Sequence, residues 1–311
     1  MAGYVRPRRG FRYAARKIAE HWQFYLLMLL PLTYIIIFAY IPMPGVLMAF
    51  QRYSPSKGLF GSEWVGLQYF QQFFSSPSSL GIILNTLWIG FYSLVASFPL
   101  PILLAIGLNE VGCKPFKKSV QMITYAPYFI STVVIVGMII QFTDLRSGFF
   151  NRIVTMLGGE PINFMSEPDM FASIYVWSGV WQTTGYSAII YLAALAGINK
   201  ELQEAAIVDG ATRLKRIWHV DLPCIRQQIF ILLIFSVSNI LGVGFEKVYL
   251  MQNTMNASAS EVIATFVYKV GLINADYGFS TAVGLFNTLV SVILLVVTNT
   301  IVKRLSETSI W

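Results

Sequence analysis

Residues 199–228 read NKELQEAAIVDGATRLKRIWHVDLPCIRQQ, a charged insert between two long uncharged runs. Residues 201–208 are good helix formers. Asp209 and Gly210 then mark a turn, because glycine takes positive φ without a Cβ penalty. Thr212 can cap a second short helix, which Pro223 is expected to stop. The predicted product is a helix, turn, helix projection. Ala205 and Ala206 give it a smooth face that another protein can approach closely, with Glu204 and Asp209 at the rim.

The runs that flank this insert decide the fold class. No Asp, Glu, Lys or Arg occurs at 22–51, 64–109, 119–143, 170–199, 227–245 or 277–302. A bilayer core of about 30 Å needs about 20 apolar helical residues, so helices are predicted at 24–50, 80–108, 119–142, 171–198, 229–251 and 282–302. They must be helices, since lipid leaves an exposed backbone no partner and barrel strands would show short alternating segments. The expectation is an all-α, polytopic membrane protein with six transmembrane helices. Buried helices of a soluble protein seldom reach about 25 uncharged residues. With 56% apolar and only 12% charged residues, the whole chain suits lipid better than water. The organisation predicted is a basic tail at 1–21, a membrane domain at 22–302 that carries the loop at 199–228, and a short tail at 303–311. Gly242, Gly244, Glu246 and Lys247 interrupt the fifth run, whose outer end is expected to unwind.

Orientation follows from the basic residues of alternate loops. Sixteen Lys and Arg fall on one side, counting both tails, and six on the other: Arg52, Lys57, Arg146, Arg152, Lys247 and Lys269. Both termini are therefore expected in the cytoplasm, with the net charge of +7 recording membrane topology rather than a nucleic-acid partner. The first run is too long for a signal-peptide core and reads as a retained anchor. Arginines and lysine at 6–17 can touch anionic membrane lipid. Cys113 and Cys224 fall in loops on the cytoplasmic side and are expected to be reduced thiols without zinc spacing.

Much catalytic chemistry is missing from the sequence. It has no Gly-x-x-x-x-Gly-Lys-Ser/Thr loop to hold ATP. Its two histidines, His21 and His219, lie outside the predicted spans, and no carboxylate pair sits at a helix centre. A pathway without its own engine is expected, with no metal, no cofactor and no enzymatic activity. The segment at 67–74 can lie in the membrane interface as an amphipathic helix or pack as a lid. Glu246 and Lys247 read as a membrane-edge ion pair or as gating groups at the outer mouth. Trp177, Trp181, Gln182, Tyr186 and Asn239 are the best candidates for the lining of a solute path, because aromatic faces can stack on the CH faces of a polar solute and its hydroxyls need amide partners. The competing reading of such aromatics is packing or an interfacial belt.

Glu204, Ala205 and Ala206, three residues before Gly210, then nine more before Val220, Asp221, Leu222 and Pro223, resemble the EAA loop of binding-protein-dependent ABC importer permeases. The usual isoleucine is Val220 here, and a later proline is replaced by Arg226 and Gln227. The likeness spans nearly the whole chain and is strongest to the maltose-type carbohydrate permeases. Within them, LLMLLPLTYIIIFAYIPMPGVLMAFQRYSP, EWVGLQYFQQFF and RIWHVDLPCIR look like the polysaccharide and oligosaccharide uptake subgroup.

That resemblance implies a type I, MetI/MalF-like permease fold. It also implies partners: a second permease, usually in a heterodimer, two cytoplasmic ATP-binding subunits, an extracytoplasmic solute-binding protein, and an oligosaccharide substrate. The EAA helix would dock in a cleft of an ATPase subunit, Glu204 docking and Gly210 turning, with Ala205, Ala206, Asp209, Leu222 and Pro223 in support. An ABC permease for another solute, and a stand-alone secondary carrier, are the alternatives.

Overall fold

The computed structural model describes residues 20–306. The basic stretch at 6–17 and the end of the C-terminal tail lie outside the described residues.

The first uncharged run begins as helix α1, Trp22–Ile35, and continues through a π turn at Ile36–Tyr40 into a 3-10 stretch at Met43–Phe50. Pro31, Pro42 and Pro44 lack amide hydrogens, which explains the departure from regular α pairing towards its end. None of α1 is buried by this chain. A two-stranded antiparallel ribbon comes next, Gln51–Arg52 with Glu63–Trp64, in the register Gln51 to Trp64 and Arg52 to Glu63. Helix α2, Gln68–Ser75, packs Phe73 into a cluster with Ile82, Ile263, Phe279 and Val283. One face of the segment at 67–74 thus packs on the bundle, as either predicted role requires, while Phe74 stays largely exposed.

Helices α3, Ser79–Ser97, and α4, Pro99–Glu110, run on as one 32-residue span. The third run departs from the expected straight span. Helix α5, Lys114–Tyr125, ends in a 3-10 turn at Ala126–Phe129, and α6, Thr132–Phe142, restarts at 100° to it. Pro127 cannot donate to the α5 ladder, Ile130 is extended, and Ser131 caps α6 by accepting from the Val134 amide. A short helix α7, Phe149–Met156, leads to α8, Pro168–Ala196, which packs along α3 and α4. At Gly185 the α8 backbone runs so close to α5 that a Cβ would meet the Thr124 carbonyl oxygen at 2.0 Å. Ala105, Ala188, Tyr191, Leu195 and Ile225 form the core beneath the 199–228 loop.

That loop contains α9, Lys200–Val208, and α10, Arg213–Arg216. Pro223 does not stop the second helix. A π turn at Ile217–Asp221 carries α10 directly into α11, Leu222–Ser238, giving a 26-residue apolar span. The wider turn moves the pairing one residue along before Pro223, so the missing amide falls where the helix is already re-registering. After Asn239 the chain unwinds through Gly242 and Gly244, as the glycines predicted, before α12, Phe245–Met251. Helices α13, Ile263–Tyr268, and α14, Tyr277–Ser306, complete the described chain.

Among the described residues four helices can cross a membrane by length and composition, or five if the bent α5–α6 pair counts as one. At 29 residues α8 would extend about 43 Å, ample for a crossing, but its Trp, Tyr, Ser, Thr and Gln side chains make it less apolar than the others.

Candidate functional site

The 199–228 projection is stabilised by local caps. Asn199 accepts from the Glu201 amide at 3.0 Å and starts α9. At its end, Gly210 has φ +74, its amide donates to Ile207 at 3.0 Å, and the Ala211 amide donates to Ala206 at 2.9 Å. This pair of bonds is the Schellman closure, which needs a left-handed residue at Gly210. Thr212 then caps α10 by accepting from the Lys215 amide, as expected. Glu204, Ala205, Asp209, Gly210 and Pro223 are exposed, and Ala206 and Leu222 half-buried. Around them Val208, Leu214 and Trp218 are 86%, 79% and 69% exposed, an apolar rim that water alone would not favour.

A polar chain not anticipated from the sequence fastens this projection to the bundle. Arg216 lies 3.5 Å from both Glu110, at the end of α4, and the Gln203 side-chain oxygen. The Gln203 amide in turn donates to Asp221 Oδ1. Asp221 is buried, and its second oxygen has no partner. Glu110, Gln203 and Arg216 are remote from one another in sequence or sit among many similar surface residues, so no spacing marks them in advance.

The predicted path residues divide between two sides of α8. Gln182 and Tyr186 share a face with Tyr175, Gly179 and Thr183, at helical spacings of four, seven, eight and eleven from Tyr175. This face lines two cavities, of about 610 and 390 Å³, that share Ser93, Ser97, Tyr175 and Thr183 as wall residues. Asn239 lines the larger one, its side chain folded over Gly242, where a Cβ would meet Asn239 Oδ1 at 2.1 Å. Tyr128 and Tyr186 stack on its wall with centroids 3.8 Å apart, and Gln182 donates to the Ile130 carbonyl at 3.1 Å. Trp177 and Trp181 are on the opposite side of the helix. They line a separate, apolar cavity with Ile135, Phe142, Phe150 and Phe164, and the Trp177 indole donates to Tyr92 at 2.9 Å.

Glu246 and Lys247 do not form the expected membrane-edge ion pair. Glu246 is exposed, whereas Lys247 turns inward and is buried against α8, on the smaller polar cavity. The two side chains leave α12 in different directions because adjacent helical residues point about 100° apart.

Long apolar helices around cavities that carry scattered polar groups, with a capped projection at one end, suit a membrane transport subunit. Residues 97–307 match the model of the binding-protein-dependent transport system inner membrane component family, and the chain belongs to that family. It is similar to the protein LplB of Bacillus subtilis (strain 168), 40% identical over 303 residues, which cover 97% of this chain and 95% of that one. The polygalacturonan/rhamnogalacturonan transport system permease protein YteP of the same organism is 40% identical over 295 residues, 95% of this chain and 92% of its own. Among solved structures, a chain of a bacterial alginate ABC transporter, crystallised with an alginate pentasaccharide-bound periplasmic protein, is 36% identical. It superposes with a TM-score of 0.87 over 95% of this chain and 99% of that one.

Proposed function

We propose that the chain is a non-catalytic permease subunit of an ATP-driven importer. With a second permease it forms the pathway by which oligosaccharides, delivered by an extracytoplasmic solute-binding protein, cross the bacterial cell membrane. The observation that carries this reading is the likeness to saccharide permeases over almost the entire chain. Geometry supports it: the Tyr128–Tyr186 stack offers an aromatic edge for a pyranose face, and Gln182, Asn239, Ser93 and Ser97 offer amides and hydroxyls for sugar hydroxyls. Trp177 and Trp181 are assigned to packing or lipid contact, since their cavity is separate.

In this reading α8 is the sixth crossing, less apolar because one face borders the path. The apolar rim of Val208, Leu214 and Trp218, with Glu204 and Asp209, is the dock for one of two cytoplasmic ATPase subunits. A complex reconstituted in proteoliposomes is expected to accumulate labelled galacturonan oligosaccharide only with ATP and the binding protein present. Nucleotide-independent uptake driven by an ion gradient would refute the coupling.

Orientation has its own test. Cys113 and Cys224 are exposed free thiols at the end of the bundle that carries the projection. A membrane-impermeant maleimide is expected to label both in inverted vesicles and neither in intact cells. Labelling from outside would reverse the topology.

A further inference from the structure

Lys247 stands on α12, just past the unwound stretch, and only 9% of its surface is exposed. Its Nζ donates to the Tyr175 carbonyl at 3.0 Å and lies 4.9 Å from the centroid of the Tyr175 ring. The ion pairs among the described residues join Arg52 to Glu63, Arg216 to Glu110 and Lys269 to Glu261, and none includes Lys247. Glu246 borders the same cavity but makes no such pair.

Burying an ammonium costs several kcal/mol even after relaxation, and one carbonyl and one ring face replace only part of its hydration. As an ammonium, Lys247 is therefore largely uncompensated by protein groups, beside a cavity of about 390 Å³. Gly179 lies beside it, where a Cβ would stand 3.4 Å from Nζ. Ser93, Ser97, Gln182 and Thr183 surround the opening, and the shared wall leads to the cavity bordered by Tyr186 and Asn239. Ionisable groups inside membrane bundles mark substrate or ion paths, because nothing else offsets their cost. The missing complement to Lys247 is an anion, and Ser93, Ser97, Gln182 and Thr183 place hydroxyl and amide groups on the walls of the cavity beside it.

We infer that Lys247 receives the carboxylate of a uronate-bearing oligosaccharide as it passes, making this chain selective for anionic over neutral sugars. This rests on the saccharide-import reading above and names the substrate class within it. Galacturonan and alginate, which appear in the names of the relatives, are both polyuronates, the chemistry that the buried ammonium requires.

The test compares uptake of a galacturonate trisaccharide with that of its carboxyl-reduced, neutral counterpart by the complete reconstituted complex. With Lys247→Gln the ratio of anionic to neutral uptake is expected to fall about tenfold, the loss of one partly desolvated charge contact, and Lys247→Arg should restore most of it. A ratio unchanged in Lys247→Gln overturns the inference, even if both rates drop, because a purely structural lysine would affect the two sugars alike. If Lys247→Gln does not assemble, Thr183→Asp sets a carboxylate on the same cavity. A lowered ratio then supports the inference, and an unchanged one overturns it. Preference of the wild type for the neutral sugar also overturns it while leaving saccharide import intact, whereas uptake of neither sugar refutes saccharide import itself.

Discussion

Gly210→Pro is expected to abolish ATP-coupled uptake while the membrane bundle still assembles. Gly210 has φ +74, and proline is held near φ −65, so the turn cannot form with that residue. Proline also removes the amide that donates to Ile207, one of the two bonds closing α9, and misaligns the other, from Ala211 to Ala206. The local cost is about 3 kcal/mol or more. It falls on the projection alone, because Gly210 is exposed and a Cβ there meets nothing within 4 Å. Gly210→Ala keeps the amide and carries only left-handed strain, roughly 1–2 kcal/mol, so partial uptake should survive. The measurement is uptake and binding-protein-stimulated ATP hydrolysis, with copurification of the subunits as the assembly control. Normal coupling in Gly210→Pro would contradict the assignment of this loop as the lever between ATPase and pathway.

How much of this arrangement was readable in the sequence depended on whether a local rule or a tertiary contact decided it. Gly210 and Thr212 obey turn and cap chemistry that three or four residues specify, and both stand as their neighbours predicted. The unwinding after Asn239 was likewise written in Gly242 and Gly244. Pro127 and Pro223 show the limit. Pro127 lies in an apolar run and Pro223 in the charged insert, yet the first accompanies a 100° break and the second is absorbed by a π turn within a continuous span. Neighbouring contacts make the difference. Ser131 caps a new helix after Pro127, whereas Asp221 before Pro223 is fixed by Gln203 from across the loop.

Neighbours in sequence are not neighbours in space along the candidate path. Trp177, Trp181, Gln182 and Tyr186 are close in sequence, but a helix distributes them around its axis, and of these four Gln182 and Tyr186 reach the two cavities beside Tyr175 while the tryptophans do not. A stripe from Tyr175 through Gly179, Gln182, Thr183 and Tyr186 was available to a periodicity reading. The inward turn of Lys247 was not, since its position depends on the unwound segment that aims α12 at α8.

Gln203→Leu should have the second large effect, and it separates anchoring from docking. The leucine preserves helix propensity in α9 but removes the donor to Asp221, whose other oxygen already lacks a partner at 1% exposure. Leaving a buried carboxylate without a hydrogen bond costs about 3 kcal/mol, visible as a lowered melting temperature of the solubilised complex. Arg216 also loses an acceptor, though at 3.5 Å that contact is weak and Glu110 still holds the guanidinium. The decisive comparison is Asp221→Leu combined with Gln203→Leu. If the loss comes from the stranded charge, the double variant is more stable than Gln203→Leu alone by about 2 kcal/mol, because two apolar side chains replace a polar pair. If the double variant is instead as unstable as the sum of the two single ones, Asp221 has other essential partners. The chain from Glu110 to Asp221 would then not be the fastening through which motion of the projection reaches α4 and α11.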